Sequence, residues 1–123
     1  MSSHLLLVDD DVTSRYLLAR LLNDMGYAVT SAARVKEAIS LVRHGRRIDA
    51  MIVDIDLAGS SGLDLVRQVR ELNLEPPVVY VSGHPVAIHQ ALEAGALVLP
   101  KPVSRSRLQR ILDEALPQEG SNP

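Results

Sequence analysis

The sequence predicts an α/β domain, a parallel sheet with helices on both faces. Short continuous apolar runs, the mark of strands buried on both sides, recur along the chain. Between them lie stretches whose apolar residues repeat at helical spacing, the stripe of a helix with one buried face. Strand and helix patterns alternate throughout, which favours parallel pairing through crossover helices.

The elements follow in order. HLLLV at 4–8 is the first strand. Leu18, Leu21, Leu22 and Met25 form the first helical stripe, with Asp11 or Thr13 placed to cap its start and Gly26 its end. YAVTSA at 27–32 is more mixed and suits an edge strand. Val35, Ala38, Ile39 and Val42 make the second helix, before Gly45. AMIVDI at 50–55 is the third strand, followed by a helix striped with Leu65, Val66, Val69 and Leu72. PVVYVS at 77–82 is the fourth strand, and Ile88, Ala91 and Leu92 mark a short fourth helix. ALVLP at 96–100 is the fifth strand, and Ser104 caps a last helix carrying Leu108, Ile111, Leu112 and Ala115. Five strands alternate with five helices, a doubly wound sheet.

At 123 residues the chain has the size of one domain with a real core. A net charge of −2 with scattered basic residues gives no electrostatic case for nucleic acid. The absence of cysteine excludes disulfides and thiolate metal sites. No apolar run approaches the roughly 20 residues of a membrane-spanning helix. The N-terminus MSSHLLLVDDD lacks the basic start and cleavage site of a signal peptide. These features lead us to expect a cytoplasmic protein without membrane contact. One domain is expected over 4–116, with PQEGSNP at 117–123 a disordered tail.

In doubly wound sheets ligands bind beyond the carboxyl ends of the strands. The first strand ends in Asp9, Asp10 and Asp11, the third in Asp54 with Asp56 close behind, the fourth in Ser82 and the fifth in Lys101. Any one of these is ordinarily a turn former, a cap or a solvated charge. Together, on one sheet edge, they point to chemistry. Clustered carboxylates without Cys or His suit a hard cation such as Mg²⁺. A carboxylate is also a nucleophile toward phosphoryl groups, and the charge on the transferred group needs metal, cationic or hydroxyl partners. Asp9 and Asp10 can hold the metal, Asp54 can attack, and Ser82 and Lys101 can receive the phosphoryl oxygens.

The motifs LVDDD at 7–11, VDIDLAGSSG at 53–62, VSG at 81–83 and PKP at 100–102 resemble, in order and spacing, those of the receiver domain of two-component response regulators. The resemblance covers nearly the whole chain. It implies a flavodoxin-like sheet of strand order 2-1-3-4-5. It implies Mg²⁺ on Asp9, Asp10, Asp54 and the backbone carbonyl of Asp56, with Asp54 as phosphoacceptor. Ser82 becomes the switch hydroxyl, Lys101 its cationic partner, Lys101–Pro102 a cis bond and Gly62 the glycine that turns the following loop. The implied partners are a histidine kinase or histidine phosphotransfer protein and an output partner or domain. The domain would catalyse its own phosphorylation and dephosphorylation without being a turnover enzyme in the usual sense. Two positions depart from the family: Ala58 stands in place of a proline, and Val98 in place of an aromatic switch residue, with Tyr80 inside the fourth strand no substitute. The interval from Ser82 to Lys101 is short, so the fourth helix is expected to be trimmed.

Two other readings compete with this one. Asp54-Ile55-Asp56 resembles the Asp-x-Asp motif of haloacid-dehalogenase-like phosphatases, but it falls on the third strand and leaves no residues for a cap. A pseudo-receiver that no longer takes phosphate fits the altered output face and not the complete acid, hydroxyl and lysine set. His4, His44 and His89 read as exposed or capping residues. His84, two residues past Ser82, and the Asp56 side chain are candidate modulators. Arg43, Arg46 and Arg47 read as cations at a helix C-terminus.

Overall fold

The computed structural model describes residues 3–57 and 59–116. The expected tail at 117–123 and the departure at Ala58 lie outside the described residues. The strands are β1 (His4–Val8), β2 (Ala28–Ala32), β3 (Ala50–Asp54), β4 (Asp56–Leu57), β5 (Ser60–Ser61), β6 (Val78–Ser82) and β7 (Leu97–Pro100). The helices are α1 (Val12–Asp24), α2 (Val35–Arg43), α3 (Gly62–Glu71), α4 (Pro85–Glu93) and α5 (Arg105–Ala115). One five-stranded parallel sheet runs in the order β2-β1-β3-β6-β7. Counting only its own strands, this is the expected 2-1-3-4-5 order, with β2 at an edge. The antiparallel pair β4–β5 stands apart as a small hairpin that the apolar pattern did not announce.

Side-chain alternation along the strands divides the core in two. Leu6, Val8, Met51, Val53 and Tyr80 face one side, where α2, α3 and α4 supply residues such as Ile39, Leu65, Val69 and Ala91. Leu5, Leu7, Ile52, Val79, Val81 and Leu99 face the other, against Leu18 and Leu22 of α1 and Leu108 and Leu112 of α5. This two-sided burial is why β1 and β3 read as unbroken apolar runs. Leu5–Val8 are almost wholly inaccessible, and each leucine so buried contributes about 2 kcal/mol. The carboxyl end of β1 is thereby held firmly at the middle of the sheet.

The caps place the site. Asp11 Oδ2 accepts from the Ser14 N–H at 2.7 Å, so Asp11 rather than Thr13 caps α1 and the third carboxylate turns away from its two neighbours. Ser104 caps α5 through the Arg107 N–H. Gly26 (φ +97°) follows the α1 C-cap in the left-handed conformation that glycine adopts without penalty.

Two expectations are corrected. Leu92 is exposed, because the buried face of α4 narrows to Ala91 with Ala87 and Ile88 half-buried. Gly62 does not turn the loop: its backbone is not left-handed, and Gly59 (φ +73°) makes that turn. Gly62 is instead a point of close approach, where a Cβ would collide with the Asp54 carbonyl oxygen and lie 2.7 Å from Val53 Cγ1.

Candidate functional site

Asp9, Asp54 and Ser82 are the buried polar residues of the described chain, each at most 6% exposed. Buried polar groups are costly unless hydrogen-bonded, and three at adjacent strand ends mark a site. Each is satisfied. Asp9 Oδ1 accepts from the Asp11 N–H at 2.9 Å, and Oδ2 from Ser14 Oγ at 2.6 Å. Asp54 Oδ1 accepts from the Asp56 N–H at 3.0 Å. Ser82 Oγ accepts from the His84 N–H at 3.0 Å and donates to Asp56 Oδ2 at 3.4 Å.

Lys101 crosses from the end of β7 to complete the cluster. Its Nζ lies 2.9 Å from Asp54 Oδ2 and 3.5 Å from Asp9 Oδ2. The turn that delivers it is anchored by the Lys101 N–H bond to the Ser82 carbonyl at 2.8 Å and by a cis Lys101–Pro102 peptide, as the resemblance implies. Burial raises the Asp54 pKa, and the Asp9 charge adds to this; the bonds from Lys101 and the Asp56 N–H pull the other way without prevailing. For Lys101 burial pulls the pKa down, but the bond and charge of Asp54, with Asp9 behind, win and raise it. Lys101 is a fixed ammonium at neutral pH.

Oxygen atoms of Asp9, Asp10 and Asp54 come within 4.8 Å of one another. The donor set is all oxygen, and Asp9 and Asp54 share one ammonium between them, so the cluster retains negative charge. Both features fit a hard divalent cation such as Mg²⁺.

The structure brings together Asp9, Asp10, Asp54, Ser82 and Lys101. Asp56 lies at the rim with its side chain half exposed, and His84 Nε2 stands 3.5 Å from Asp56 Oδ2. Val98 sits half-buried in β7 beside Tyr80, its register partner in β6. The other histidines are elsewhere: His4 is neither exposed nor a cap but half-buried in β1 and bonded to Thr30, His44 bonds the Ser40 carbonyl, and His89 pairs with Glu93. Arg46 reaches Thr30 and Arg47 pairs with Asp49.

Sequence reasoning missed Ser14, whose hydroxyl fixes Asp9, and Arg15, whose Nη1 donates to the Asp9 carbonyl at 2.7 Å. The signal available was helical spacing. Once Asp11 is the cap, Ser14 and Arg15 fall on the first turn, facing back toward the strand end.

An acid pair just past β1, a buried carboxylate ending β3, a hydroxyl ending β6 and a lysine just past β7 meet at one edge of a doubly wound sheet. The sequence pattern of the response regulator receiver domain matches residues 5–113, and the chain belongs to that family. It is 33% identical over 118 residues to the two-component response regulator ORR3 of Oryza sativa subsp. indica, spanning 92% of this chain and 90% of that protein. It is 37% identical over 115 residues to the response regulator protein PilR of Pseudomonas aeruginosa, covering 90% of this chain but 25% of PilR. Among solved structures, a CheY-like receiver domain from Methylobacillus flagellatus superposes with a TM-score of 0.83 at 27% identity, covering 94% of this chain and 99% of that one. Receiver domains of two-component systems generally accept phosphoryl groups from histidine kinases and bind Mg²⁺. Among the described residues no helix is long and apolar enough to cross a membrane.

Proposed function

We propose that Asp54 accepts a phosphoryl group from a histidine kinase or histidine phosphotransfer protein, and that the resulting acyl phosphate regulates an output partner or domain. The observation that carries this is the buried Asp54 carboxylate, 2.9 Å from Lys101 Nζ and within the Asp9–Asp10 oxygen cluster. In the step, an Asp54 oxygen attacks phosphorus, the bond from phosphorus to the donor nitrogen breaks, and the nitrogen keeps the electron pair. Asp9, Asp10, Asp54 and the Asp56 carbonyl would hold Mg²⁺, which supplies neutralisation of the phosphoryl charge when bound. Lys101 and the Ser82 hydroxyl take the phosphoryl oxygens. Ser82 can do so only by giving up its bond to Asp56, and this exchange would carry the signal into the β6–α4 loop without an aromatic residue at position 98.

Asp56 and His84 tune the lifetime of the phosphorylated state. The Asp56 carboxylate, positioned by His84 and Ser82, accepts a proton from attacking water and so speeds hydrolysis.

The test uses acetyl phosphate with Mg²⁺, read by intact mass. One phosphoryl group should load onto the wild type and none onto Asp54→Asn. Equal loading of the variant sinks the assignment of Asp54, and no loading of either protein supports the pseudo-receiver.

A further inference from the structure

A groove of about 1230 Å³ opens at the rim of the acidic site and runs along α2 to its C-terminal end. Val12, Val35 and Ile39 give it an apolar floor. Arg34, Lys36 and Arg43 line it, all exposed and, among the described residues, without an ion-pair partner. Arg15 is a fourth cation of the lining, one nitrogen engaged by the Asp9 carbonyl. Asp10 is its one acid, and Glu37 nearby on α2 is turned to the Ala33 N–H. Four cations against one carboxylate leave a local surplus of three positive charges in a chain whose net charge is −2.

We propose that this groove docks an acidic, amphipathic peptide segment of a partner protein. Apolar side chains of the segment would cover Val12, Val35 and Ile39, and its carboxylates would meet Arg34, Lys36 and Arg43. Charge and size choose this occupant. Arginine clusters recognise acidic motifs through forked hydrogen bonds. The groove exceeds the roughly 300–1,000 Å³ of small-molecule pockets. It follows a helix of nine residues, about 13 Å of rise, which suits a short helical or extended segment. Among the described residues no Phe, Tyr or Trp lines it, and its one ring, His44, is tied to the Ser40 carbonyl, so a nucleic acid strand would find little stacking platform there. Lys36, Ser40 and Arg43 follow i, i+4, i+7 and therefore share one side of α2, the row that a second helix would read. The inference rests on the groove and not on phosphorylation.

The test titrates the isotopically labelled full chain, without phosphodonor, with a synthetic helical peptide bearing leucines on one side and glutamates on the other. Saturable amide shifts are expected at 33–44, 12–15 and 59–60, weakening with salt as exposed charges are screened. Arg34→Glu with Arg43→Glu should weaken binding about tenfold or more; both residues are exposed, and far-UV circular dichroism verifies the fold. The same peptide with lysine in place of glutamate should not bind. Absence of shifts at millimolar peptide, shifts confined to other faces, or undiminished binding by the double variant overturns the proposal. So does tighter binding of tripolyphosphate or a single-stranded oligothymidylate, which would make the groove a phosphate or nucleic acid site.

Discussion

Gly62→Ala is the substitution that best separates packing from chemistry at this site. A Cβ on Gly62 would lie 2.7 Å from Val53 Cγ1 and closer still to the Asp54 carbonyl oxygen. Carbon atoms settle about 3.5–4.0 Å apart, so roughly 0.8 Å or more must be found. The valine methyl can rotate aside. The carbonyl cannot, because Asp54 ends β3, a strand held between β1 and β6. Overpacking of a core costs about 1–3 kcal/mol, and a backbone obstacle puts this case near the top of that range. For a domain of this size the midpoint should fall by roughly 10 °C or more. Displacing the Asp54 backbone should also move its carboxylate away from Lys101 and slow loading from acetyl phosphate. Gly59→Ala is the control: it meets open space and suffers only left-handed strain, about 1–2 kcal/mol, with loading preserved. Thermal melts followed by circular dichroism, with intact-mass loading curves, decide the matter. A Gly62→Ala protein that melts within a few degrees of wild type and loads normally would refute the close-approach reasoning.

Three further outcomes are expected. Asp10→Asn should weaken Mg²⁺ binding by more than the roughly tenfold that loss of an outer-sphere partner costs, and unchanged isothermal titration curves would remove Asp10 from the metal site. Asp56→Asn, loaded and then freed of donor, should lose its phosphoryl group more slowly than wild type; faster loss by mass would mean that the carboxylate shields the bond. The Asp49 carboxylate accepts from the His4 N–H at 2.7 Å, and that bond foremost, with Arg47 helping, lowers its pKa despite burial. Its stabilisation is therefore present above the unfolded pKa and lost as pH falls through the lower folded value. Asp49→Ala should cost about 1 kcal/mol at pH 7, with the gap from wild type closing in urea melts below about pH 4; a constant gap would show that the bond is not linked to ionisation.

Periodicity and strand-end chemistry make the sheet, its helices and the five residues Asp9, Asp10, Asp54, Ser82 and Lys101 legible in the sequence. The reason is local. A strand buried on both faces must be apolar throughout, so the first polar residue after it stands at the ligand-binding edge. What sequence could not supply were the relations between elements. The sequence shows three aspartates in a row. Only the fold turns Asp11 away as a helix cap and presses Asp9 under Ser14 and Lys101. Gly62 looks like a turn glycine until β3 is seen beneath it. The α2 cations, far from Asp10 in sequence, share a groove with it only because β2 and β1 lie side by side. Composition and spacing act within a few residues of the chain and determined the elements and the polar residues at the strand ends. Distances between groups dozens of residues apart depend on how strands pair and helices pack, and these the tertiary structure alone decided.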